Sequence, residues 1–266
     1  MFKIFYADSD ATLYEHKSGY NTGLDEILEI GKRLDTDGAT LKKSRAIVKF
    51  DMTEIQSALT KYSVGLSSCK FMLQLFTSQA KNLPSSYSID AKILGQTWNN
   101  GTGYLASDPK IQDGVRWAVP HSSWSLGGST GTSWISSSQE IQVNNSSLYI
   151  SGSGTGGSWL YQSGSDAFNT ALFNQSFFHQ VGLNEQEVFS LRTTDIYLDV
   201  TDAIQLWISG SGGFSIDNNG FLMKFSESDE SNNDKGVISF FSRDTHTIYV
   251  PRLVMLFDDS EYDDTL

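Results

Sequence analysis

Short runs in which apolar and polar residues alternate strictly recur along this chain, and they constrain its fold more than any other feature. RAIVKFD places Ala46, Val48 and Phe50 on one side, and the runs at 195–200 and 220–226 repeat the pattern. Successive side chains of a strand point to opposite faces, so each run predicts a strand with one buried face. Clusters of Gly, Ser, Asn and Asp separate the runs, as is typical between antiparallel strands.

Helical periodicity is confined to two short segments, MTEIQSALTKYS (52–63) and TDAIQLWISG (201–210). Neither is long enough to be stable without packing against a sheet. A chain of 266 residues is close to the roughly 200 to 250 residues that a single β domain often reaches. We therefore predict one all-β domain over residues 1–257, an antiparallel jelly-roll-like sandwich with two short helices.

A long Gly-rich and Ser-rich insertion, residues 121–165, interrupts the alternating runs. Gly and Ser alone would form a flexible linker, but four large aromatic residues recur within it, which are Trp124, Trp134, Trp159 and Tyr161. Recurrent aromatic residues indicate burial. The insertion is expected to cross the domain surface or to pack against a neighbouring subunit, and the sequence leaves both alternatives open.

The segment GVISFFSRDTHTIYVPRLVMLF (236–257) reads as two strands joined by a polar corner. The last strand is apolar on both sides, so we expect it to lie centrally between two covered faces. At the corner, Arg243 and Asp244 are predicted to pair and to hold the turn. The alternative is that His246, two residues after Asp244, gives this corner a chemical role.

Charge and cysteine content narrow the classes of partner. The net charge is −12 with no compensating run of Lys or Arg, so a phosphate-binding nucleic-acid surface is not expected. The single cysteine, Cys69, follows the alternation of SCKFMLQLF and is predicted to fill the core. No apolar run has the length of a signal sequence core or a membrane span, so we expect a protein made in a cytoplasm without a membrane partner.

No catalytic constellation is recognisable in the sequence. The carboxylate pairs Asp8 with Asp10 and Asp229 with Glu230 fall in segments that read as turns, where acidic residues need no role. We therefore predict no catalytic residue, no cofactor and no metal site. The acidic tail, residues 258–266, is expected to be a disordered or polar end, with calcium binding as the alternative.

Several motifs, taken in order, resemble the DNRLRE type of β-sandwich domain. The matching residues are Lys49, Phe50 and Asp51; Thr97, Trp98 and Asn99; Asp199, Val200, Thr201 and Trp207; Gly220 and Phe221; Ser242, Arg243 and Asp244; and Pro251 and Leu253. The likeness spans nearly the whole chain. It implies a jelly-roll sandwich that serves as a carbohydrate-binding or structural module.

The combination DIYLDVTDAIQLW, NNGFLMKFS and FFSRDTHTIYVPRL, followed by an acidic end, also resembles structural proteins in the virions of tailed phages, especially marine myophages that infect cyanobacteria. This resemblance implies a non-enzymatic protein of the neck, tail or capsid surface, located in a virion that assembles in the host cytoplasm. Its expected partners are other virion proteins and further copies of itself in a symmetric array.

Surplus apolar surface on such a protein should face a neighbour, and the end of the last strand and the aromatic residues are the expected places. The alternative function is a carbohydrate-binding module, which would present exposed aromatic rings to a glycan. Candidates for an interface or a glycan-facing surface are Tyr104, Trp117, Trp124, Trp134, Trp159 and Tyr161.

Overall fold

A computed structural model describes residues 1–84, 86–125, 128–136, 139–143, 146–162, 177–182, 195–209 and 216–258. In chain order its strands are β1 (Phe2–Tyr6), β2 (Ser9–Tyr14), β3 (Ile27–Leu34), β4 (Leu41–Lys49), β5 (Lys70–Leu75), β6 (Thr77–Lys81), β7 (Ser86–Ile93), β8 (Ser123–Ser125), β9 (Gly128–Thr130), β10 (Gln139–Val143), β11 (Ser146–Gly152), β12 (Ser158–Gln162), β13 (Phe177–Gly182), β14 (Ile196–Asp199), β15 (Phe221–Phe225), β16 (Gly236–Phe241) and β17 (Arg252–Leu256). The helices are α1 (Met52–Tyr62), α2 (Thr201–Ser209) and α3 (Glu227–Ser231), with a short 3₁₀ helix at Leu66–Ser68.

Two antiparallel sheets form the sandwich. One has four strands in the order β1-β17-β5-β14. The larger sheet has the order β13-β7-β15-β4-β3-β16-β6, and β2 pairs with the second half of β4. A three-stranded sheet, β10-β11-β12, and the hairpin β8-β9 come from the insertion. The prediction of an all-β antiparallel sandwich is confirmed.

The main core lies between the two sheets. Phe71 and Leu73 of β5 and Met255 of β17 come from the four-stranded sheet, and Val48 of β4 and Phe221 of β15 come from the larger one. All five side chains are fully buried. The alternating runs therefore identify the inward face of these strands correctly.

A second group of buried residues, the outer cluster, covers the opposite face of β4 and β15. It contains Ala11, Leu13, Ile47, Leu94, Trp98, Val115, Trp117, Trp134 and Leu222, with Trp159 packed against it. Ile47 and Leu222 point away from the main core, yet both are fully buried. The cover draws on residues 94–119 as well as on the predicted insertion, so it begins earlier in the chain than residue 121.

Helices α1 and α2 pack against the main core through Ile55 and Ile204, which are both fully buried. The Asp51 side chain caps α1 by accepting a hydrogen bond from the Thr53 N–H at 2.8 Å. Two helices were predicted in these segments, and α3 is an additional one. Helix α3 is short and acidic, and the Ser226 hydroxyl accepts a hydrogen bond from the Asp229 N–H at its start.

Candidate functional site

The outer face of the four-stranded sheet is an apolar surface whose rings on the two edge strands, Phe2, Tyr6 and Tyr197, are exposed. In the ladder Phe2 lies opposite Leu256, and Ile4 lies opposite Val254, which in turn lies opposite Met72 of β5. Phe2 is 63% exposed. An apolar stripe thus crosses three adjacent strands.

Aromatic and polar residues continue this surface along the next row. This row crosses all four strands, with each residue opposite the next one: Tyr6 on β1, Arg252 on β17, Gln74 on β5 and Tyr197 on β14. Tyr6 is 56% exposed and Tyr197 is 48% exposed. The Arg252 Nε donates a hydrogen bond to Gln74 Oε1 at 2.6 Å, and its guanidinium lies 4.6 Å from the centroid of the Phe76 ring. We call the surface formed by Phe2, Ile4, Tyr6, Met72, Tyr197, Val254 and Leu256 the open face.

Strand β17 lies between β1 and β5, as expected of a central strand, and its outward-facing Val254 is buried at 7% exposure. On the inner side of β17, Leu253 and Met255 are fully buried in the core. On the outer side, the neighbouring rings of Phe2 and Tyr6 remain exposed. The described part of the insertion packs on the larger sheet, where Trp134 and Trp159 contact the cluster around Ile47 and Leu222.

Beneath the outer cluster, three ionic side chains form a buried network on β4, β15 and α3. Arg45 donates from Nε to Glu230 Oε1 at 2.8 Å and from Nη2 to Glu230 Oε2 at 2.6 Å, a bidentate pair. Lys224 Nζ lies 3.5 Å from Glu230 Oε2 and 2.9 Å from Glu227 Oε1. Arg45 is 5% exposed, Lys224 0% and Glu230 6%.

The insertion closes over this network. Arg45 Nη1 donates to the Gly156 carbonyl at 2.7 Å, and its guanidinium lies 5.3 Å from the Trp117 ring centroid. Lys224 Nζ lies 5.5 Å from the ring centroid of Trp159. These contacts stabilise the cover on the sheet through cation–π attraction and hydrogen bonding.

The ionic state of Glu230 follows from its surroundings. Burial alone would raise the pKa of Glu230, but the charge and hydrogen bonds of Arg45, with the charges of Lys224 and Lys43, outweigh it and lower the pKa. This network could not be predicted from the sequence, because SESDES reads as an acidic turn and its partner Arg45 lies far away in the chain. Glu230 lies on a helix and not in a turn, and it has a structural contact there, while the absence of a catalytic role stays a prediction.

The structure places the candidate aromatic residues in different environments. Tyr104 is 46% exposed. Trp134 and Trp117 are buried in the outer cluster, at 1% and 7% exposure, so neither presents a ring to a glycan or to another subunit. Trp159 is half-buried against the same cluster. Trp124 lies in β8 and Tyr161 in β12, and their side chains lie outside the described set.

The polar corner between β16 and β17 is held mainly through backbone groups. Ser242 Oγ donates to the Asp25 carbonyl at 2.6 Å and accepts from the Asp244 N–H at 3.1 Å. The Arg243 N–H donates to Asp10 Oδ2 at 2.7 Å. Arg243 Nε lies 3.8 Å from Asp244 Oδ2, with both side chains partly exposed, so the pairing predicted for them is loose and its role in the corner stays a prediction. His246 is almost fully exposed.

Asp10 is a buried acid at this corner. It lies in β2, not in a turn as its sequence suggests, and it is 1% exposed. Burial raises the pKa of Asp10 to about 8, although the hydrogen bond from the Arg243 N–H opposes the shift. The carboxyl group is therefore largely protonated at neutral pH and serves as part of the corner.

A polar groove of about 430 Å³ lies on the larger sheet beside residues 105–106 and includes Lys17, Asp25, Glu29 and Gln79 in its lining. Burial raises the pKa of Asp25 to about 6. Both carboxylate oxygens of Asp25 accept hydrogen bonds from the Leu105 N–H, at 3.0 and 3.2 Å. The groove thus offers hydrogen-bonding groups, several of which already have partners in the chain.

Among the described residues, no group of three or more His, Cys, Asp or Glu side chains could hold a metal ion. The acidic tail beyond Asp258, where calcium was the alternative, lies outside the described residues. No helix in the described part of the chain is both long and apolar enough to cross a membrane.

Comparison with known proteins identifies no family. No protein-family model matches the chain, and no curated protein matches it.

Proposed function

We propose that this protein is a non-enzymatic structural component of a tailed-phage virion that joins or decorates other particle proteins at the neck, tail or capsid surface. The observation that carries the proposal is the open face. The ordered motifs that resemble DNRLRE-type domains and phage virion proteins supply the biological context. Its place is a virion that assembles in the host cytoplasm.

The open face has the properties of a contact surface. Its three most exposed rings, Phe2, Tyr6 and Tyr197, leave on the order of 300 Å² of aromatic surface in water, taking about 200 Å² for a whole ring. Exposed apolar surface on this scale is comparable with the largest patch on a typical monomer, which often has a function. Aromatic side chains are also enriched among the residues that dominate binding energy.

The contrast between the two outer faces supports the same function. The larger sheet has its outer side covered by the chain's own insertion, with Ile47 and Leu222 fully buried. On the four-stranded sheet, by contrast, the rings of Phe2 and Tyr6 are exposed. A protein that covers one apolar face from within and leaves the other exposed is suited to bury the second one in an assembly. The net charge of −12 favours protein partners over nucleic acid.

Purified particles provide the test. Mass spectrometry of gradient-purified virions should detect the chain at a fixed ratio to the capsid protein. Tyr197→Glu places a charge on the open face and should reduce incorporation at least tenfold without unfolding the protein. Tyr104→Glu, which changes an equally exposed tyrosine elsewhere, is the matched control and should incorporate normally. Absence of the chain from virions, or equal incorporation of both variants, would refute the proposal.

The alternative function, carbohydrate binding, is favoured by one observation. Tyr104 is 46% exposed and precedes Leu105 and Ala106, which line the polar groove with Asp25. An exposed ring beside hydrogen-bonding groups is a common arrangement for a sugar. Calorimetric titration with a panel of polysaccharides should then give a signal that Tyr104→Ala removes and Tyr197→Ala retains. No heat with any polysaccharide would exclude this function.

A further inference from the structure

Among the strands that the structure describes, β1 pairs with β17 alone, so it lies at an edge of the four-stranded sheet. The Phe257 N–H donates to the Met1 carbonyl, and the Ala7 N–H donates to the Pro251 carbonyl. Bonded pairs alternate along an antiparallel ladder, so odd-numbered residues of β1 bond to β17. The N–H and C=O groups of Phe2, Ile4 and Tyr6 therefore point to the free edge.

The usual protections of an edge strand are weak here. FKIFY contains no proline, and its register with β17 runs from Phe2 to Tyr6 without a bulge. Lys3 is its one charged residue. A groove of about 370 Å³ lies beside this edge, between β1 and α1, and leaves room for another chain.

The sequence of β1 places an aromatic residue two positions on either side of Ile4, at Phe2 and Tyr6. When two copies pair in antiparallel fashion about a two-fold axis at Ile4, Phe2 lies opposite Tyr6 of the other copy and Ile4 lies opposite itself. These three pairs share the outer side and consist of aromatic and branched residues, which make favourable cross-strand pairs. Lys3 lies opposite Phe5, so no like charges meet.

We propose that a second copy of this chain pairs with the β1 edge in this register, which joins two four-stranded sheets into one continuous sheet with a doubled open face. The inference rests on the proposed function and names its partner. The hydrogen-bonding groups of β1 at the free edge would then bond to the same groups of the second copy.

Charge favours this occupant. Within one copy, Lys3 Nζ already lies 5.8 Å from the centroid of the Phe5 ring. In the paired arrangement each Lys3 also faces the Phe5 ring of the other copy. The groove lining also includes Asp51 and Glu54, whose two negative charges balance those of Lys3 and Lys61 in each copy, so the paired edges do not repel through a net charge. A five-residue strand pair buries less than the roughly 1,200 Å² of a stable interface, so the dimer should dissociate on dilution.

Cysteine cross-linking tests the register directly. Ile4→Cys brings two Cα atoms to about 5.5 Å, within disulfide range, and should form a covalent dimer under mild oxidation. Phe2→Cys alone should not cross-link, because the two Cα atoms would lie about 14 Å apart along the strands. A mixture of Phe2→Cys and Tyr6→Cys should cross-link. The native Cys69 is 2% exposed and does not compete.

Ile4→Pro gives an independent readout by sedimentation. It removes the N–H that points to the free edge and leaves the ladder with β17 intact, so the protein should stay folded and lose the concentration-dependent dimer. Tyr197→Ser on the opposite edge strand is the control and should dimerise as the native chain does.

The outcomes separate this inference from the proposed function. Cross-linking of Phe2→Cys with itself as readily as of the mixture, or no cross-linking in any variant, would overturn the β1 pairing. If the cross-linking fails but virions incorporate the native chain and not Tyr197→Glu, the proposed function would stand without this dimer. If the cross-linking fails and virions also lack the native chain, both the β1 dimer and the proposed function would be rejected.

Discussion

Replacement of Glu230 by glutamine should destabilise this protein strongly, because the carboxylate neutralises two cations that the fold has removed from water. In the native protein Arg45 and Lys224 are 5% and 0% exposed, and among the described residues Glu227 is the other acid that pairs with Lys224. Breaking a buried ion pair by removal of one partner costs about 3–5 kcal/mol. In a domain of this size such a loss lowers Tm by roughly 6–20 °C.

Urea denaturation followed by tryptophan fluorescence measures this loss, since Trp117 and Trp159 lie over the network. Glu227→Gln is the matched control. Its carboxylate also contacts Lys224, at 2.9 Å, but the side chain is 70% exposed. Because Glu227 stays in solvent and Lys224 keeps its contact with Glu230 in this variant, the control should lose much less stability than Glu230→Gln. A Glu230→Gln variant that unfolds within about 1 kcal/mol of the native protein would refute the reasoning.

A second variant separates lost attraction from uncompensated charge. Replacing the whole network with apolar residues, as Arg45→Met, Lys224→Met and Glu230→Leu together, leaves no buried charge. Such replacements are often neutral or stabilising. The triple variant should therefore be more stable than Glu230→Gln alone.

Three further changes test other parts of the fold. The pKa of Asp10 is about 8 in the folded state and 3.8 in the unfolded state, so its contribution to stability is full below about pH 4 and is lost as pH rises to about 8. Asp10→Asn should flatten this pH dependence and should be more stable than the native protein at pH 8. Urea midpoints measured across pH 5 to 9 would show both effects. Ser242→Ala leaves two backbone groups without a hydrogen-bond partner and should lower the free energy of unfolding by about 1–3 kcal/mol. The Arg243 side chain pairs loosely with Asp244, so Arg243→Ala should lower it by less than about 1 kcal/mol. Thermal melting measures both. Gly220→Ala should cost at least about 1–3 kcal/mol in denaturant, because φ is +83° and the new Cβ would lie 2.3 Å from the Val48 carbonyl oxygen.

The inward faces of the strands could be predicted from sequence, because alternation reports directly which side of a strand is apolar. Val48 and Phe221 are fully buried, as their positions in the runs indicate. Alternation carries no information about what lies on the other side. Ile47 and Leu222 occupy the polar side of their runs and are fully buried under the outer cluster.

The ionic network could not be predicted for the same reason. Lys224 follows the alternating pattern and reads as a solvent-exposed lysine, yet its side chain is 0% exposed. Its acid, Glu230, lies on a five-residue helix that has the composition of a turn. Only the long-range approach of the insertion removes these charges from water, and no local pattern records that approach.

The open face was partly accessible from sequence. The last strand is apolar on both sides, which indicated surplus surface, but the pattern did not say which sheet the insertion would cover. The corner shows the same limit. Ser242, Arg243 and Asp244 stood out as a polar group, whereas the buried contact of Asp10 with this corner depends on a pairing between residues 233 positions apart.

The first and last strands of this fold are hydrogen-bonded neighbours, and the N-terminal ammonium group donates to the Phe257 carbonyl at 2.6 Å. Strand β17 also separates β1 from β5. The four-stranded layer therefore cannot assemble until residue 257 has left the ribosome, and a nascent or truncated polypeptide has no second layer to close its core. The open face, which is built from β1, β5, β14 and β17, is therefore among the last surfaces of the fold to form during translation.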